Sequence, residues 1–255
     1  MNHCKWLFKP ILIVLIFLYS CQKKEYTVPV NVELEVALKN GTSNHLSFDS
    51  GTILFKQIFF DGHRTQGGDV HFATKTDDEI GPFQFFFDHP ALIENFDIPQ
   101  GVYSLIEWEL TLDEIDDIEN DDDDNDEGNN IDNNSKIEDF ETEGGLVFNG
   151  TYNSLSGHIV PLFIIIDEDE IFKVKTINND GLQDITISAE KPYLAQIKFD
   201  PYYATKTISV ESLESSDLSH TDLGAAYIEI SSDQNEVLYE NILFRLQNSV
   251  KIIIN

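Results

Sequence analysis

Phe96-Asp-Ile-Pro-Gln-Gly-Val-Tyr-Ser-Leu-Ile-Glu-Trp-Glu-Leu-Thr-Leu112 is the stretch that decides the fold. From Val102 onward Ile106, Trp108, Leu110 and Leu112 fall on one face, and Glu107, Glu109 and Thr111 on the other. That is the period of two expected of a β-strand with one buried face. Trp108 shares the apolar face and therefore reads as core rather than as a binding platform. The entry to the strand is equally informative. Pro99 fixes φ, and Gly101 allows a backbone approach that a Cβ would hinder. Tyr103 is placed to tie its hydroxyl to a neighbouring loop.

The same period recurs on both sides. Val30, Val32, Leu34, Val36 and Leu38 alternate with polar or small residues. A second strand is expected over 51–60, with Ile53, Phe55 and Gln57 facing away from Leu54, Lys56 and Ile58. Gly67-Gly68 then turns the chain into a strand over 70–74, and 83–87 is short and aromatic. Downstream, strands are expected over 146–152, 159–166, 172–176, 185–188, 193–199 and 227–231. The run over 159–166 is apolar throughout, as in a strand covered on both faces. Helix is scarce. The best candidate spans 235–248, with Leu238, Ile242, Leu243 and Leu246 on one face and Asp233 or Asn235 as cap. A last strand is expected over 250–254. Many short strands separated by turns indicate a mainly β domain, an antiparallel β-sandwich with one short C-terminal helix.

One segment departs from this pattern. Residues 113–143 hold 16 of the 46 acidic side chains, including Asp121-Asp-Asp-Asp124, against a single lysine. Self-repulsion and the lack of apolar periodicity read as a solvated, disordered insertion between two strands. Asp122, Asp124 and Asp126 alternate as calcium ligands do, and Asp132 follows. Glu127, however, stands where an EF-hand loop starting at Asp122 needs glycine. The expectation is diffuse attraction of cations, with calcium at these aspartates the lesser possibility.

The whole chain carries a net charge of −30, and Arg64 and Arg245 are its only arginines. Neutralising phosphate needs clustered Lys and Arg, so a nucleic-acid partner is excluded. An apolar share of 41% excludes global disorder. Eighteen Phe against one Met suit a rigid interior.

The beginning of the chain reads as an address. Lys5 and Lys9 flank the start of Ile11–Leu18, an apolar run too short to span a hydrocarbon core of about 30 Å but of signal-peptide length. Leu18-Tyr19-Ser20-Cys21 resembles a bacterial lipobox, with Tyr19 a bulky residue of the Bacteroidota type. The resemblance implies a signal over 1–20, lipidation of Cys21 and a tether over 21–26. The cysteine count agrees. Of two cysteines, Cys4 is lost with the signal, so no intrachain disulfide can form. Gln22, where aspartate would mark inner-membrane retention, implies the outer membrane, with its periplasmic and surface sides both open.

The strand entry carries a second resemblance. Ile98-Pro99-x-Gly101-x-Tyr103 is similar to an element of an uncharacterised β-sandwich domain common in bacterial outer-membrane lipoproteins. Gly51-Thr-Ile-Leu-Phe-Lys-Gln-Ile58 and Leu194-Ala-Gln-Ile-Lys-Phe-Asp200 resemble its early and closing strands. The resemblance covers 30–200 and implies a prealbumin-like or immunoglobulin-like sandwich; the residue pattern extends that domain over 27–255, with a strand–helix–strand at 227–254. The resemblance implies no site residue.

The candidate sites differ in chemistry. If Gly67-Gly68 are the two turn residues, His71 faces Arg64 and His63 faces Phe72, which puts the histidines on opposite sheet faces and defeats joint ligation, whereas a loop of different length would bring them together. Ser156-Gly157-His158 reads as a hairpin turn, and Asp167–Glu170 as a polar turn rather than the paired carboxylates of a glycosidase. There is no G-x-S-x-G. Tyr202-Tyr203 is the one paired aromatic candidate for a glycan outside a strand. The expectation is a non-catalytic binding, adhesive or assembly module on the membrane, taking a protein or glycan partner and needing no cofactor. The alternative is a calcium-dependent or glycan-binding surface protein.

Overall fold

The computed structural model describes residues 28–43, 45–74, 80–115, 144–221 and 223–255. Within them the chain is mainly β with little helix, as expected. The first half holds β1 (Pro29–Leu38), β2 (Leu46–Arg64), β3 (Val70–Ala73), β4 (Ile80–Phe85), β5 (Ala91–Pro99) and β6 (Gly101–Leu112). The second half holds β7 (Leu146–Asn153), β8 (Ile159–Ile166), β9 (Ile171–Asn178), β10 (Ile185–Ile187), β11 (Tyr193–Phe199), β12 (Leu218–His220), β13 (Ala226–Ile230) and β14 (Lys251–Ile254). Three helices interrupt them: α1 (Pro201–Thr205), α2 (Val210–Glu214) and α3 (Glu236–Ser249). No described helix is long and apolar enough to cross a membrane.

The antiparallel sandwich is corrected. The strands form one mixed sheet in the order β12-β13-β8-β7-β2-β6-β9-β14-β11-β1-β5, with β3 and β4 beside β2 and β10 beside β6. β1 runs parallel to β11, β13 to β8 and β14 to β9. Alternation reports which face of a strand is buried and carries nothing about a neighbour's direction. The sheet curls until its two arms share a core. Phe72 of β3 stacks on Phe96 of β5 at 5.4 Å, and Phe85 of β4 meets Phe199 of β11 at 6.1 Å.

β2 is longer than its expected ten residues because it serves both arms. Its pairing with β6 shifts register between Phe55 and Gln57. The shift puts Ile58 in the core with Ile53 and Phe55, not opposite them. One edge of β2 carries β7 along Leu46–Ile53 and β6 along Phe55–Arg64. Between them, Leu54 accepts a hydrogen bond from Asp113 N at 3.1 Å and donates one to Gly145 O at 3.0 Å. One ladder rung is thus built from two residues 32 positions apart. β6 and β7 are two halves of one line of pairing, opened at Leu54 by the acidic segment. Its base is closed by Ile115 N donating to Gly144 O at 3.1 Å. The disorder expected of the segment lies mostly outside the described residues.

The strand entry performs as its residues suggest. Tyr103, fully buried, donates its hydroxyl to Pro99 O at 2.6 Å, and burial pushes its pKa up to about 12. Gly101 lies against the Arg64 side chain, where a Cβ would collide with Cδ. Tyr103→Phe keeps the ring and leaves the carbonyl unpaired; unfolding in urea should show a loss of about 1–2 kcal/mol. An unchanged midpoint would mean that the hydroxyl holds nothing.

The C-terminal helix buries Tyr239, Ile242 and Leu246, while Leu238 and Leu243 pack at its margin. Asn235 sits at the cap position but makes no side-chain cap bond. Its amide instead donates to Glu229 O at 2.6 Å, tying the helix to the end of β13. β8 is covered on both sides over Leu162–Ile166, with Leu54, Ile115, Val147, Phe163 and Ile165 forming a small outer cluster. Ile159, at its start, is exposed.

Candidate functional site

The site lies where β1 ends. Lys39 N donates to Phe199 O at 2.7 Å and Leu38 N to Phe86 O at 3.2 Å, which draws the ends of β1, β11 and β4 together. Asp200 follows β11 and does two jobs. One carboxylate oxygen caps α1 by accepting from Tyr203 N at 2.8 Å; the other accepts from Lys39 Nζ at 2.7 Å. The pair is half in water, with Lys39 58% and Asp200 12% exposed, so it orients the corner more than it stabilises it.

α1 then lays Tyr202 across Gly41, whose missing Cβ makes room for the ring. Tyr202 OH accepts from Phe48 N at 3.2 Å, and the ring meets Phe48 edge-on at 5.1 Å. Across from it stand Phe86 and the 54%-exposed Phe87. Between them opens a cleft of about 370 Å³, with Lys39, Asn40, Ser47 and Asp49 at its polar rim. Aromatic walls under a rim of hydrogen-bonding groups suit a ligand with one apolar and one hydroxyl-rich face.

The paired tyrosines divide. Tyr202 is wall and scaffold of the cleft. Tyr203 turns the other way, its ring 4.4 Å beneath the Arg245 guanidinium, which also donates to Tyr203 O at 2.7 Å. Phe86 and Phe87 were missed. The signal was Phe85-Phe86-Phe87, since three successive aromatics cannot all enter one core from a strand.

The other candidates separate cleanly. In the Asp167–Glu170 turn, Asp167 accepts from Ser232 at 3.1 Å, Asp169 from Lys56 at 2.7 Å and Glu170 from Gln247 at 3.1 Å. Burial and the nearby Asp167 charge raise the Glu170 pKa. Ser232, Lys56 and Gln247 thus brace the turn from three directions. Ser156 Oγ lies 3.4 Å from His158 Nδ1 inside the β7–β8 turn. Cys21, Asp122, Asp124, Asp126 and Asp132 lie outside the described residues.

The histidines require a correction. β3 pairs with β2 so that His71 faces Asp61 and Val70 faces Gly62, three positions from the register of a two-glycine turn. The loop therefore runs over 63–69. Arg64 holds it, Nε donating to Gly68 O at 2.6 Å and Nη2 to Gly67 O at 2.7 Å. The register returns His63 and His71 to the same face, ring centres 6.3 Å apart. Asp69 closes the loop, accepting from Arg64 N at 3.3 Å, and its hydrogen bond with His63 holds its carboxyl below the ordinary range.

Comparison of the chain with protein-family models, with curated proteins and with solved structures returns no match in any of the three.

Proposed function

We propose that the chain is an outer-membrane lipoprotein, anchored through Cys21, that acts as a non-catalytic binding module through the cleft at the end of β1. One observation carries the reading: the cleft stands at the far end of β1, and in sequence the expected tether runs into the near end of that strand at Pro29. β1 rises about 3.3 Å per residue, which puts Lys39 roughly 30 Å from Pro29, where the tether enters. A lipid on Cys21 would hold Pro29 near the bilayer and present the cleft away from it. The resemblance of Leu18-Tyr19-Ser20-Cys21 to a lipobox, and of the Ile98–Tyr103 entry to that of a lipoprotein β-domain, supports the same assignment.

A glycan is the favoured partner because Phe87 offers a ring face beside the polar rim. The expected outcome for the anchor is that Cys21→Ser accumulates as unprocessed or mislocalised precursor in membrane fractions. A variant that reaches the outer membrane at normal mass would remove the anchor from the account. For the cleft, the chain from Gln22 should bind members of an immobilised glycan set, and Phe87→Ala should weaken that binding roughly tenfold, about 1.4 kcal/mol. Binding that ignores Phe87→Ala would move the site elsewhere.

A further inference from the structure

The β2–β3 hairpin gathers a second set of groups, independent of the cleft. His71 Nδ1 lies 3.0 Å and His63 Nε2 3.6 Å from Asp61 Oδ1, while His63 Nδ1 lies 3.2 Å from Asp69 Oδ2. Asp61 Oδ1 is shut off from solvent, and neither imidazole aims an N–H at it in hydrogen-bonding geometry. Glu107 stands directly across from Asp61 on β6 and adds negative charge to the same face. A cation held between this oxygen and the two ring nitrogens would satisfy all three.

We propose that Asp61, His63 and His71 bind one divalent transition-metal ion of the zinc class, with Asp69 as the residue that positions His63. In a tetrahedral site with bonds of about 2.0–2.2 Å, neighbouring donor atoms lie about 3.3 Å apart. The two separations from Asp61 Oδ1 bracket that value. Asp69 accepts the His63 Nδ1 proton, which leaves the Nε2 lone pair directed at Asp61, the arrangement in which an outer carboxylate fixes a ligating imidazole.

One movement completes the site. No three described donors already surround a common point. The ring centres stand 6.3 Å apart, where two imidazoles on one tetrahedral ion stand about 5 Å apart. The His71 side chain is 51% exposed, so its ring can turn inward at little packing cost. Two nitrogens and one carboxylate oxygen suit zinc, cobalt, nickel or copper, whereas calcium takes six to eight oxygens.

The test uses the chain from Gln22, its acidic segment included, and Zn²⁺ alone, titrated calorimetrically in 0.15 M salt. One saturable site at micromolar Kd or tighter is expected, and Co²⁺ in its place should show the visible absorption of a tetrahedral ion. His63→Ala and His71→Ala should each weaken the site at least thirtyfold, and Asp69→Asn about 10–100-fold. Asp69 and His71 are exposed and His63 is half-buried, and an unchanged thermal melt shows that each variant is folded. Cations gathered by the acidic segment would not respond to these substitutions. Wild-type affinity in the His63→Ala/His71→Ala double variant, or no saturable Zn²⁺ binding below about 100 μM, would overturn the assignment.

Discussion

Removing residues 114–145 and joining Asp113 directly to Leu146 is expected to leave a folded protein, whereas a cut that also removes Leu146 is expected to be at least about 3 kcal/mol less stable, or unfolded. The reasoning starts at Leu54. Its carbonyl is satisfied by Asp113 N and its N–H by Gly145 O, so Asp113 alone can supply both halves of that rung once its own carbonyl takes the place of Gly145's. Leu112 points inward, Asp113 outward and Leu146 inward; the join preserves the alternation. The in-register cut loses the burial of Ile115 in the outer cluster, a cost of about 2 kcal/mol. Removing one residue more puts Val147, Asn149 and Thr151 on the side that Leu146, Phe148 and Tyr152 now occupy. Urea unfolding of the two deletions, side by side, decides the matter. Equal midpoints would mean that β6 and β7 are independent strands.

Trp108→Ala is expected to cost about 5 kcal/mol, the upper end for truncating a buried aromatic. Trp108 is 2% exposed, and its ring meets Phe60 at 4.9 Å and Phe96 at 5.5 Å. Because Phe60 and Phe96 lie on opposite arms of the curled sheet, the cavity would open at the seam between them. The indole N–H also donates to Thr176 Oγ1 at 2.9 Å, and Thr176 is 1% exposed. Trp108→Phe should therefore recover most of the packing and still lose about 1–3 kcal/mol for the orphaned hydroxyl. A melting temperature unchanged in Trp108→Ala would place the indole outside the core.

Most strands were legible because they have one buried face, which writes itself as alternation, and β8 because both its faces are covered, which writes itself as an unbroken apolar run. Ile106, Trp108, Leu110 and Leu112 carry that signal without interference. β5 was legible in principle, since Phe96 and Ile98 point in and Asp97 points out, but Pro99 drew attention to the turn that follows. The parallel pairings left no local trace. Nor did the register of the β2–β3 hairpin, which depends on Arg64 reaching the carbonyls of Gly67 and Gly68 rather than on the two glycines themselves. The cleft was half visible. Tyr202 stood out as an aromatic beyond a strand, yet its hydroxyl is spent on Phe48 N, and the exposed ring belongs to Phe87. Lys39 and Asp200 meet across 161 positions, a separation over which no spacing rule operates.

The same distance bears on the order in which the molecule can assemble. Among the described strands β1 is synthesised before the rest, and one of its two neighbours, β11, follows only after nine others. Until Tyr193–Phe199 arrives, β1 has only β5 to pair with, and a lone two-stranded pair in water is marginal at best. Closing so long a loop before any contact rewards it makes folding slow and leaves an apolar edge unprotected meanwhile. A nascent chain of this protein thus carries Val32, Leu34 and Val36 uncovered for most of its synthesis.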